Sequence, residues 1–221
     1  MKKIISILLL AVLCFSLASC GESAYDKYVN TELETAVKVD MYVQATQSWW
    51  DNKITVYGAD ENGAYFVYEM ACTEEDSKKL TPGTKITVSG TKTAWEGEVE
   101  IVDATFEFAG DDTYVREVTD VTSFAGNEEE LIKYQNQLVS FKGMEVVSVS
   151  YKGNARGDDV YLTAKLGDAE ISFCVERYLT GPDTEVYKAV EALKAGDVID
   201  IEAYLYWYTG ANPHVTGVTV K

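Results

Sequence analysis

Leu80-Thr81-Pro82-Gly83-Thr84-Lys85-Ile86-Thr87-Val88-Ser89-Gly90 and Leu193-Lys194-Ala195-Gly196-Asp197-Val198-Ile199-Asp200-Ile201-Glu202-Ala203 are one pattern written twice. Each reads as a helix end, a glycine past it, and a strand whose alternate residues are apolar. The offset between the copies is 113, and Gly97 and Gly210 stand at the same offset further on. Near the start of each half, Val37, Val39 and Trp49 match Val139, Phe141 and Tyr151 at an offset of 102. The chain is therefore an internal repeat of two similar units. The eleven extra residues of the second unit fall between its first strand and the shared Leu-x-x-Gly. A longer helix over Thr184 to Lys194, with Asp183 as its expected cap, accounts for part of them.

Working outward, period-two alternation in VKVDMYV, KITVYGADENGAYFVYEM, TKITVSG and EVEIVDATFEF predicts short strands, with Asp60-Glu61-Asn62-Gly63 as a hairpin connection. Thr73 followed by Asp76 predicts a helix N-terminus, and Pro82-Gly83 its end. Each unit thus reads strand, strand, strand, helix, strand, strand. The expected fold class is mainly β: two tandem five-stranded barrels, each with one short helix between strands 3 and 4. That order resembles the OB-fold, a small Greek-key barrel that binds oligonucleotides and oligosaccharides. The resemblance covers residues 36–109 and 136–221. Residues 110–135 form a connector in which Val115, Val118, Val121 and Phe124 are available for packing, with a short helix expected over Asn127 to Tyr134. Glu128-Glu129-Glu130 suits the first turn of that helix, where the dipole favours negative charge.

The amino terminus carries an address. Lys2 and Lys3 precede an apolar run from Ile4 to Leu13, too short to span a bilayer, and Leu17-Ala18-Ser19-Cys20 follows. This segment resembles the lipobox of bacterial lipoproteins. The resemblance implies that residues 1–19 are a signal peptide and that Cys20 carries a diacylglycerol. Residues 20–35 would then be a tether, with a helical turn around Tyr25 to Leu33, and the protein would sit on the extracytoplasmic face of a bacterial cell membrane.

The 221 residues hold 19 Lys and Arg against 36 Asp and Glu, a net charge of −17. Removal of Lys2 and Lys3 makes it −19, so attachment to anionic headgroups falls to the lipid alone. A nucleic-acid groove normally clusters Lys and Arg, so nucleic acid is expected to be a poor partner for a chain this acidic.

An OB barrel meets its ligand between the loop joining strands 1 and 2 and the loop joining strands 4 and 5. Trp49, Trp50 and Trp95 occupy those loops in the first unit; Tyr151, Arg156, Tyr206, Trp207 and Tyr208 occupy them in the second. Flat rings flanked by polar groups suit a glycan, peptide or protein ligand. Trp50 and Trp207 are expected to bind and Trp95 to fold over the last strand. The competing reading places these rings at the barrel ends or between the units. The principal reading is a non-enzymatic, lipid-anchored binding or scaffold protein. Its alternative is single-stranded nucleic-acid binding through the second unit, which requires Lys152, Arg156, Lys165 and Arg177 to converge.

Other chemistry is poorly provided for. His214 is the single histidine and follows Pro213 at the turn into the last strand, so neither zinc nor Ser-His-Asp chemistry is provided for. Cys72 and Cys174 have no ligand spacing and are expected to be buried free thiols. Asp51-Asn52, Asp111-Asp112 and Asp158-Asp159 lack the regular calcium loop. Glu98 and Glu100 alternate on one strand with nothing to mark a cleft between them. No catalytic residue, metal or cofactor is expected.

Overall fold

A computed structural model describes residues 22–221. Residues 1–19, expected to be a signal peptide, and Cys20 lie outside the described residues. Helix α1 (Ala24–Asn30) opens with a capping box in which Ser23 Oγ accepts from the Asp26 amide and Asp26 Oδ2 from the Ser23 amide. Tyr28 on this helix is buried against Tyr65 of the first unit, with ring centroids 5.0 Å apart. At the other end of α1, the Lys92 ammonium donates to the carbonyls of Tyr28, Val29 and Thr31 at 2.8, 2.8 and 2.7 Å. A cation at that end satisfies orphan carbonyls and complements the helix dipole. Helix α1, within the segment 20–35 expected to be a tether, is therefore packed onto the first unit.

That unit comprises β1 (Thr35–Thr46), β2 (Lys53–Ala59), β3 (Ala64–Ala71), α2 (Glu74–Ser77), β4 (Lys85–Trp95) and β5 (Glu98–Phe108). The strands close into a barrel in the order β1-β2-β3-β5-β4, with α2 between the third and fourth strands as expected. Alternation drives the closure: Val39, Met41 and Val43 of β1 point inward onto Ile86 and Val88 of β4, and all five are buried. Helix α2 is a single turn, capped by Thr73, whose Oγ1 accepts from the Asp76 amide.

In the connector, β6 (Thr119–Asp120) pairs in parallel with β7 (Leu138–Tyr151). Val121 is fully buried, whereas Val115 and Val118 are exposed. Asn127 caps α3 (Glu128–Leu131), and a 3-10 turn over Ile132–Tyr134 follows. The second unit continues with β8 (Val160–Leu166), β9 (Ala169–Val175), α4 (Glu185–Ala192), β10 (Val198–Tyr204) and β11 (His214–Val220). The cap of α4 is Thr184 rather than Asp183, for its Oγ1 accepts from the Tyr187 amide. The sheet is six-stranded, in the order β10-β11-β9-β8-β7-β6, with β10 also pairing to β7. It differs from the expected five-stranded barrel because the connector adds β6 beside β7.

The repeat is visible in the register. Val39 pairs with Val88 and Phe141 with Ile201, which reproduces offsets of 102 and 113. An irregularity between Ile199 and Ile201 then shifts the first-strand offset to 103, so that Met41 opposite Ile86 corresponds to Met144 opposite Ile199. Gly83 and Gly196 both have φ +91, and their amides donate to Val43 O and Val146 O at 2.8 and 2.9 Å. The match fails at Gly97 and Gly210. Gly97, with φ +93, completes a tight Glu96-Gly97 hairpin turn, whereas Gly210 lies within the longer loop 205–213 and has no positive φ.

Candidate inter-module cleft

The two units meet through an aromatic core of Tyr57, Phe66 and Tyr204, in which the Tyr57 and Tyr204 rings stack 4.3 Å apart. Above it opens a cleft of about 1090 Å3. Phe66, Tyr206 and His214 form its floor. One rim is tied where the Ser48 amide, in the first unit's β1–β2 loop, donates to Tyr178 O at 2.7 Å. The other is tied where the Thr209 amide donates to Glu96 O at 2.7 Å, joining the two β4–β5-type loops. The two β4–β5-type loops expected to meet ligands therefore meet one another, and the first unit's β1–β2 loop meets the segment after β9.

The walls are aromatic. Trp50 is 77% exposed, Trp95 53% and Tyr208 48%, and all three line the cleft. Trp95 and Tyr208 pack with centroids 5.2 Å apart, one from each unit. Tyr178 completes the opposite wall, 5.0 Å under the Arg177 guanidinium. Exposed rings clustered around one concavity mark a contact surface.

Several expected site residues lie elsewhere. Trp49 is half-buried, packed on the first core with its Nε1 donating to Cys72 O at 2.9 Å. Trp207 is 8% exposed and belongs to the second core, so the roles expected of Trp95 and Trp207 are exchanged. The reason is the docked hairpin: Trp207 lies against Gly97, where a Cβ would come within 2.7 Å of Trp207 Cδ1, and that contact leaves Trp95 outside. Tyr151 and Arg156 both bind Glu191 of α4, the hydroxyl at 2.6 Å and Arg156 Nε at 2.8 Å, away from the cleft lining. Lys165 pairs with Glu145. Of the four cations that the nucleic-acid alternative requires to converge, only Lys152 and Arg177 reach the cleft.

Sequence reading missed Lys53, Tyr68, Glu176 and Tyr178. A signal existed for the last, an Arg177-Tyr178 pair directly after strand three and ahead of Gly181-Pro182. His214 is buried, and its Nδ1 shares a hydrogen bond with the Tyr57 hydroxyl at 2.7 Å while its ring stacks on Tyr206. Burial pulls its titration down to about 4. Burial also pushes Glu176 up to about 7, against the Tyr178 and Leu179 amides that donate to its carboxylate. Asp159 accepts from Lys152 Nζ at 2.9 Å and from the Arg177 amide at 3.0 Å. Three cations, Lys53, Lys152 and Arg177, thus face three acids, Glu69, Asp159 and Glu176, so the lining is balanced within a chain of net charge −17.

Cys72 and Cys174 are free and buried, and burial pushes both thiols up. Among the described residues no group of three or more His, Cys, Asp or Glu is placed to hold a metal, and no helix is long and apolar enough to cross a membrane.

No family model and no curated protein matches the chain. Its backbone is similar to several solved structures. The p204 HINb domain aligns at 12% identity and a TM-score of 0.39, covering 86% of this chain and 100% of that one. A murine DNA-binding protein bound to double-stranded DNA aligns at 13% and 0.38, covering 83% and 94%. A replication protein A heterotrimer bound to single-stranded DNA aligns at 11% and 0.37, covering 87% of this chain and 51% of that one. Two of these structures hold DNA, whereas nucleic acid was the partner expected to be poor here. That expectation rested on net charge, a sum over the whole surface that does not describe the balanced cleft.

Proposed function

We propose that the protein is a non-enzymatic binding protein that takes a ligand with flat ring faces into the inter-module cleft. The observation that carries this reading is the set of exposed rings, Trp50, Trp95, Tyr178 and Tyr208, around a single concavity. A single-stranded oligonucleotide is the first ligand class, because bases stack on such rings irrespective of sequence and Lys53, Lys152 and Arg177, paired with Glu69, Asp159 and Asp158, are the cations of the site available to phosphates by exchange. An oligosaccharide is the second reading, favoured by Glu69, Asp159 and Glu176, which accept hydrogen bonds from sugar hydroxyls and repel phosphate. We further read the β10–β7 pairing as closing the second unit into a barrel like the first. The Leu17–Cys20 segment supports a lipid-anchored position outside a bacterial cytoplasmic membrane.

Quenching of tryptophan fluorescence by a short oligothymidylate and by cellohexaose, each over a range of salt, tests this. Nucleic-acid binding through three cations gives a logarithmic salt slope of about −2 at most, since each phosphate contact on a single strand contributes about −0.7. Oligosaccharide binding gives none. Failure of both ligands to quench would refute the cleft as a site for either class.

A further inference from the structure

Glu98 opens β5 directly after the hairpin turn that carries Trp95 outward, and its side chain is fully buried at the boundary between the units. Its Oε2 accepts from the Trp207 amide at 2.8 Å and from Gln135 Nε2 at 3.2 Å, both from beyond the first barrel. Its Oε1 has no partner. The amide of Asn136 lies beside the same carboxyl, and Asn136 Oδ1 is likewise buried without a partner. Asn136 Nδ2 is already committed, donating to Val99 O at 3.3 Å. Turning the amide over would set its oxygen against that carbonyl. Two neighbouring acceptors with no donor between them are satisfied by one added proton.

We propose that Glu98 is a neutral carboxylic acid whose Oε1–H is donated to Asn136 Oδ1, and that it is the positioning residue locking the Trp95 hairpin to the loop bearing Tyr206 and Tyr208. The Trp207 amide that Glu98 holds lies between those two tyrosines, one on the floor of the cleft and one on its wall. The titratable groups that feel its charge are Glu100 on β5, Tyr28 on α1, Tyr57 on β2 and Tyr206 on the loop. None of these is a cation. Burial pushes the acid up to about 8, and the neighbouring Glu100 acts in the same direction, against the Trp207 and Gln135 N–H donors, which favour the anion. Loss of the proton leaves an unpaired anion inside the boundary, and the two loops separate.

This role rests on the cleft reading only for its effect on ligand, so two readouts are taken on the whole protein. In infrared difference spectra, the wild type and Glu176→Gln show a protonated-carboxyl band that disappears as pH rises through about 8. Glu98→Gln, a mimic of the neutral acid, lacks it. Oligothymidylate affinity falls about tenfold per pH unit above that point in the wild type and not in Glu98→Gln, because the competent fraction falls by that factor. A band that survives in Glu98→Gln, or no such band in the wild type, overturns the proposal. If oligothymidylate binds at no pH, the nucleic-acid reading fails and the band alone decides the role of Glu98. Should Glu98→Gln not fold, Asn136→Ala removes the acceptor and must shift the band's titration to lower pH; an unmoved band is equally fatal.

Discussion

The Tyr57 hydroxyl of the first unit and His214 Nδ1 of the second share a hydrogen bond across 2.7 Å of buried boundary. Burial raises the phenol and lowers the imidazole, which keeps both groups neutral. Tyr57→Phe keeps the stacking on Tyr204 but strands that ring nitrogen away from water. The expected loss is about 1 to 3 kcal/mol in chemical denaturation, the penalty of an unsatisfied buried group. A change within experimental error would mean that the bond contributes nothing net.

His214 also sets an acid limit. Its folded titration near 4 lies below the ordinary 6.5, so between these values the unfolded chain binds more protons. Stability contributed by the neutral ring is present above 6.5 and is lost as pH falls towards 4, by on the order of 3 kcal/mol. Thermal unfolding followed across this window should show the loss in the wild type and a flatter profile in His214→Gln. Identical profiles would place the acid sensitivity elsewhere.

The tryptophans divide into two kinds. Trp50→Ala and Trp95→Ala should weaken ligand quenching while leaving stability within about 1 kcal/mol of the parent, as exposed sites do. Trp207→Ala empties a core position and should cost about 3 to 5 kcal/mol. Gly97→Ala should behave like a milder Trp207 variant, because it forces a side chain into φ +93 and a 2.7 Å approach to the indole. Denaturation midpoints of the four variants give the ranking, and a destabilised Trp95→Ala would return that ring to the core.

Localisation tests the amino-terminal address. Cys20→Ala should leave an uncleaved or mislocalised precursor that takes up no labelled fatty acid. Equal labelling of variant and parent would remove the lipid from Cys20.

Much of the first barrel was legible because its determinants are local. Alternation along β1 and β4 assigns the inward face, Thr73 caps α2 through a contact three residues away, and Gly83 and Gly196 supply a backbone conformation that glycine favours; the cap of α4, expected at Asp183, falls one residue later at Thr184. The shared Leu-x-x-Gly pattern, at an offset of 113, carried this information from one unit to the other, so the helix between the third and fourth strands followed from the sequence in both units. That offset failed at Gly210, where a longer loop has no counterpart in the Glu96-Gly97 turn. The site was beyond the reach of the sequence because it is made by docking. Nothing near Trp95 or Trp207 in the chain records that Gly97 would press on one and leave the other outside. Tyr178 enters the cleft only because its carbonyl meets Ser48, 130 residues earlier in the chain. The neutral state inferred for Glu98 depends on burial at the boundary without a cation, which outweighs the Trp207 and Gln135 donors. Burial and local field are properties of the assembled surfaces, and only the tertiary structure brought those surfaces together.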